Sequence, residues 1–147
     1  MGRDMTTLKS AHYWSQSPWE FHNPVKLTVG RGCRQALVGH LTDQTLLIVT
    51  TQRGRRQLTE DAWLGKLMSQ NQVLWVHSVR ENPGLTDLQA EIDRLRGEDF
   101  DAVIAFGGGS AMDAAKALNV SLAPECQGYS LQTLLTEPKR HSMARPR

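Results

Sequence analysis

At 147 residues the chain has the length of one domain with a real core, and 39% hydrophobic with 22% charged residues is the balance of a soluble globular protein. Its formal net charge of +2 is too small to imply nucleic acid or an acidic membrane as a partner. Two cysteines, Cys33 and Cys126, make no disulfide framework, the opening MGRDMTTLKSAHYW has no signal-peptide core, and no apolar run could span a bilayer, which together point to the cytoplasm.

In chain order, residues 1–20 set Tyr13, Trp14 and Trp19 among serine, glutamine and proline, with Phe21 just beyond, and read as an irregular aromatic lead-in. VKLTVGRG (25–32) alternates and ends in a glycine-rich turn, the pattern of a strand, and CRQALVGHL (33–41) reads as a short helix. TLLIVT (45–50) is an unbroken apolar and β-branched run, as in a strand hidden on both faces of a parallel sheet. RRQLTEDAWLGKLMSQN (55–71) carries Leu58, Ala62, Leu64 and Leu67 at helical spacing and predicts one helix. QVLWVHSV (72–79) is a second buried strand. After the turn ENPG (81–84), Leu85, Leu88, Ile92 and Leu95 line one helical face, and Gly97 lies where a helix C-terminal glycine sits. DAVIAF (101–106) is the third buried strand, SAMDAAKALNVSL (110–122) a helix, and GYSLQTLLTEP (128–138) one shorter helix.

Strand and helix in strict alternation imply a doubly wound, mostly parallel α/β sheet, Rossmann-like, across residues 21–137 with a strand or hairpin lead-in. Basic residues cluster in QRGRR (52–56) and in the tail, residues 138–147. The first reads most simply as a solvated face, and the tail as a linker toward a further domain. A nucleic-acid partner is disfavoured, because the arginines lack interleaved aromatic platforms and no helix-turn-helix or zinc pattern is present. The histidines, His12, His22, His40, His77 and His141, are scattered without metal-ligand spacing, so no metal site is read in this chain.

Gly107, Gly108 and Gly109 fall where the third strand meets its helix, the edge at which open α/β sheets bind ligands. Without β-carbons the backbone can approach an anion closely, and the first N–H groups of the helix point at it, so a diphosphate is the natural occupant. The spacing is neither GxGxxG nor a P-loop, and a tight structural turn is the competing reading. Ser110 and Asp113 fit an S-x-x-D capping box, which would by itself account for both.

FGGGSAMDAAKAL (106–118) resembles the cofactor signature of the iron-containing (group III) alcohol dehydrogenase family. WEFHNPVKLTVGRG is similar to that family's opening strand pair, LLIVTTQRG to its second cofactor-side strand, and ENPGLTDL to its Asn-Pro turn, so the likeness runs from about Trp19 to Leu135. Dehydroquinate synthase and glycerol-1-phosphate dehydrogenase, relatives by fold, carry similar glycine signatures and are the alternative enzyme reading. A non-catalytic nucleotide-binding module is the alternative outside enzymes.

The resemblance implies that Gly107, Gly108, Gly109 and Ser110, with Ala111 and Met112 behind them, line the diphosphate of NAD or NADP. It implies that Asp113 lies toward the nicotinamide end, that Asn82 edges the cleft, and that Thr50 and Thr51 end the second cofactor-side strand. Many members carry an aspartate where Thr51 stands. Its absence, with Arg53, Arg55 and Arg56 just beyond, leads to the expectation that NADP(H) is tolerated or preferred. The family's metal, Fe2+ or Zn2+, is held by a separate helical domain, and no metal ligand or catalytic residue of the family is present in this chain. The expectation is a nicotinamide-binding half of an alcohol/aldehyde oxidoreductase, inactive alone and self-associating as a homo-oligomer through the face a second domain would cover.

Overall fold

The computed structural model describes residues 25–137; the aromatic lead-in of residues 1–20 and the basic tail lie outside them. The chain divides into two compact units, Met1–Arg31 and Gly32–Arg147. Of the first, only residues 25–31 are described: no strand is assigned over 25–29 among the described residues, although one is expected over 25–32, and the rest of the expected lead-in lies outside them. Val25, Leu27 and Val29 are exposed.

The second unit opens with a 3-10 helix, Cys33–Gly39, and then builds a three-stranded parallel sheet. Its strands are β1 (Thr45–Thr50), β2 (Gln72–Val76) and β3 (Ala102–Phe106), in the order β2-β1-β3. Two helices, α1 (Gln52–Thr59) and α2 (Ala62–Ser69), connect β1 to β2, and α3 (Leu85–Leu95) connects β2 to β3. After β3 come α4 (Gly109–Ser121), a 3-10 turn at Pro124–Cys126, and α5 (Leu131–Thr136). No helix among the described residues is long and apolar enough to cross a membrane.

β1 is central because its sequence has nothing to offer water: Leu46, Leu47, Ile48, Val49 and Thr50 are all at most 1% exposed. Its side chains divide by parity between two cores. Leu47 and Val49 pack with Val76, Ile92, Leu95, Ala114 and Leu118 beneath α3, α4 and α5. Leu46 and Ile48 pack with Leu58, Leu64 and Leu67 beneath α1 and α2. Helices on both faces of a parallel sheet are the doubly wound arrangement that the uninterrupted β1 run requires.

The stretch expected as one helix over 55–71 is two. Asp61 starts α2 as its N-cap, its Oδ1 accepting from the Trp63 N–H at 2.8 Å, and it also pairs with Arg34. Thr59 turns its hydroxyl back onto the carbonyls of Arg55 and Arg56 at the end of α1. Both fragments still send their leucines into one core, which is why helical periodicity survives the break. β2 ends at Val76, short of residue 79, because its last partner on β1 is Val49.

Candidate functional site

The sheet order places a topological switch point between β1 and β3, where one crossover leaves to one side of β1 and the next returns on the other. Crevices at the carboxyl ends of such strands are where open α/β sheets take ligands. The floor of this one is Thr50, which pairs with Phe106 in register. The Thr50 hydroxyl is wholly buried and donates to the Phe106 carbonyl at 2.7 Å. It ties the two strand ends together and presents no side-chain group to the crevice.

From this floor the chain leaves by two strand-to-helix turns. After β1, Thr51 is the N-cap of α1, its Oγ1 accepting from the Gly54 N–H at 3.0 Å. A Cβ on Gly54 would stand 2.1 Å from Thr50 Oγ1, so only glycine lets the first turn of α1 lie this close to the sheet. After β3, Gly107 turns the chain at φ +151°, and a Cβ there would stand 2.9 Å from that of Ala111. Gly108 and Gly109 are different: a Cβ on either would meet nothing within 4 Å. Gly108 has φ −84°, which any residue adopts, so nothing among the described residues requires these two to be glycine.

α4 begins at Gly109 with Gly108 as its N-cap and no side chain capping it. The Ala111 and Met112 N–H groups donate to the Gly108 carbonyl at 3.1 and 3.2 Å, which leaves those of Gly109 and Ser110 to the crevice. No acidic residue stands in the first turn of α4 or of α1, so the positive ends of both helix dipoles are uncompensated there.

The expected capping box of Ser110 and Asp113 does not form. The helix starts one residue before Ser110, which places that serine inside the first turn rather than at the cap. Ser110 Oγ instead accepts the Asn82 N–H at 3.3 Å, across 28 residues of sequence. Asn82 sits in the left-handed region at φ +49°, which asparagine tolerates better than most residues, and this clasps the Asn-Pro turn to the glycine turn. Asp113 is exposed and pairs with Lys116 at 3.1 Å.

Thr51, Asn82, Gly107, Gly108, Gly109 and Ser110 thus share one edge. Ala111 is buried beneath the turn, Met112 is half exposed on its outer side, and Asp113 stands farther along α4. The arginines of α1 divide: the Arg55 guanidinium lies 5.2 Å from the Trp75 ring centroid, whereas Arg53 and Arg56, three apart on one helical face, are exposed. Gly54 and the Thr50–Phe106 bond are not legible as site features in sequence; a glycine among three arginines is the one available signal. Among the described residues no group of three or more His, Cys, Asp or Glu side chains could hold a metal ion.

Comparison with known proteins agrees with this architecture. The family model of iron-containing alcohol dehydrogenases matches residues 24–145. A 65-residue stretch is 42% identical to the probable alcohol dehydrogenase EutG of Salmonella typhimurium, covering 44% of this chain and 15% of that protein. The crystal structure of an iron-containing alcohol dehydrogenase from Thermotoga maritima superposes with a TM-score of 0.71 at 27% identity, covering 88% of this chain and 36% of that one. An NADH-dependent butanol dehydrogenase of the same organism shares the fold, with a TM-score of 0.66 at 20% identity over 79% of this chain and 30% of its own. The chain therefore spans about a third of the length of the solved proteins it matches. With the family model covering most of its residues, and with a parallel switch-point sheet carrying the glycine signature, this chain belongs to the iron-containing alcohol dehydrogenase family.

Proposed function

We propose that this chain is the nicotinamide-dinucleotide-binding half of a metal-dependent alcohol/aldehyde oxidoreductase. The observation that carries the reading is the open glycine pair: Gly108 and Gly109 leave room for two β-carbons immediately in front of an uncapped helix N-terminus. A diphosphate fits that cradle in size, charge and donor supply. The Gly109 and Ser110 N–H groups, with the Ser110 hydroxyl, hold its oxygens. Because Ser110 Oγ accepts from Asn82, its own proton is free to be donated toward the phosphate. Asn82 and Thr51 border the two ends of the crevice, and Asp113 lies on the side given to the nicotinamide. When bound, the cofactor supplies hydride acceptance and donation, and the chain supplies position and charge.

Cofactor preference follows from α1. Thr51 offers no carboxylate to repel a 2′-phosphate, and exposed Arg53 and Arg56 stand in the first turn and a half of the helix it caps, while Arg55 is occupied by Trp75. The reading is that NADPH binds at least as well as NADH. The described residues offer no fit for the family's iron, and no step is assigned through it. The binding half spans residues 21–137, and the protein works as a cytoplasmic homo-oligomer. Exposed Val25, Leu27, Val29 and Leu135 support self-association, which light scattering tests; a monodisperse monomer would remove it.

Calorimetric titration with NADPH and NADH is the direct experiment. Saturable binding of either, lost in Gly109→Val, is expected, with NADPH the tighter and its advantage abolished by Arg53→Ala/Arg56→Ala. Absence of binding by both nucleotides would overturn the reading. No alcohol oxidation by the isolated chain is expected even with added Fe2+, and measurable turnover would contradict its role as a half-site.

A further inference from the structure

Of the three arginines of α1, Arg55 is the one that stands a full helical turn above Thr51, its N–H donating to the Thr51 carbonyl at 2.8 Å. Residues four apart on a helix are neighbours, and long side chains lean back toward the helix N-terminus. Arg55 is therefore well placed to reach an anion held beside Thr51. Its guanidinium lies instead 5.2 Å from the Trp75 ring centroid, and among the described residues it pairs with no carboxylate.

Trp75 is itself held fast. It pairs with Ile48 in the register of β2 on β1, and its side chain packs against the core beneath α1 and α2. Its carbonyl accepts from Arg94 Nη2 at 2.9 Å. Glu91 fixes that arginine, accepting from Arg94 Nε at 2.8 Å with one oxygen and from the Ser78 hydroxyl at 2.8 Å with the other. Both Trp75 and Arg55 are half-buried, which strengthens a cation–π contact over one in open water. A single exposed pair between an arginine and an anion contributes less, so the ring retains the guanidinium.

We propose that Trp75 is a specificity-determining positioning residue: it withholds Arg55 from the 2′-phosphate of a dinucleotide and so limits how far NADPH is favoured over NADH. The inference rests on the dinucleotide reading above and adds the residue that sets a ceiling on its preference. With the ring present, Arg53 and Arg56 carry the discrimination. Without it, Arg55 supplies a third cation.

The test is calorimetric titration of the 147-residue chain and its variants with NADPH and with NADH. Trp75→Leu should tighten NADPH about three- to fivefold, the effect of one added exposed ion pair, and leave NADH unchanged. A purely structural role for Trp75 would move both nucleotides together. In the Trp75→Leu background the NADPH advantage should survive Arg53→Ala/Arg56→Ala, whereas Arg55→Ala should abolish the gain. Trp75→Phe, which keeps a ring, should retain the parent ratio. Arg55→Ala alone disturbs no core side chain and should leave the ratio unchanged, so the proposal is tested even where Trp75→Leu does not fold. It is overturned if folded Trp75→Leu keeps the parent NADPH-to-NADH ratio, or if Arg55→Ala alone weakens NADPH selectively. Failure of the parent chain to bind either nucleotide would overturn the dinucleotide reading itself and this inference with it.

Discussion

The two strand-to-helix turns at the carboxyl edge of the sheet use the same residue for opposite purposes. After β1, Gly54 is dictated from inside, because a methyl group there would collide with the Thr50 hydroxyl. After β3, Gly108 and Gly109 face open space, and nothing among the described residues fills the room they leave. The first turn is also closed by its own cap, Thr51, while the second has none. A glycine enforced by neighbouring atoms reports on packing. One that no described neighbour enforces leaves open space, the room on which the proposed dinucleotide site rests.

Substitutions should separate these roles, and the largest effect belongs to the enforced glycine. Gly54→Ala places a Cβ 2.1 Å from a buried hydroxyl that is already bonded to Phe106, so overpacking should outweigh the usual helical gain and cost about 3 kcal/mol. In a thermal melt that is a fall of about 10 °C for a domain of this size. Gly108→Ala and Gly109→Ala should hold the melting temperature nearly constant and instead weaken dinucleotide binding about tenfold, read by calorimetry. If either destabilises as Gly54→Ala does, the contrast between the two turns is wrong.

Thr51→Ala removes the cap of α1 and should cost about 1 kcal/mol, measured by chemical denaturation. The smallest effect lies at Asp93 on α3, whose carboxyl is held below the usual aspartate range by the Gln89 side-chain amide and then by Arg96. A depressed folded value means that its contribution is present above the unfolded aspartate value and is lost as pH falls through the folded one. Carboxyl titration by NMR should find this midpoint low, and Gln89→Ala should raise it; because the group is exposed, the acid-side change in stability is slight.

Most of the sheet was legible because its information is local. The runs at 45–50, 72–76 and 102–106 are apolar without alternation, and each is followed by helical periodicity, so the alternation of elements defines the fold class. What failed depended on distant partners. The break at Glu60–Asp61 was masked because Leu58, Leu64 and Leu67 share a core whether carried by one helix or two. At the site, the position of the glycines followed from the strand-helix junction. The separate reasons for Gly54, Gly107 and Gly108 did not, since each is a distance between atoms remote in sequence or an absence of such atoms. The S-x-x-D pattern misled for a similar reason: the same letters serve a cap or a long-range clasp, and only the first residue of the helix decides.

β1 is hydrogen-bonded on both sides and buried on both faces, and β2 and β3 each have one neighbour among the described strands. In native-state hydrogen exchange, the amides of Leu46 to Val49 should therefore exchange only through global unfolding, and those of the flanking strands earlier. Thr50 ends that most protected strand and carries the bond to Phe106. The floor of the crevice thus belongs to the last part of the domain to open, so helix ends above it can fray and re-form without dismantling the surface on which a ligand would be received.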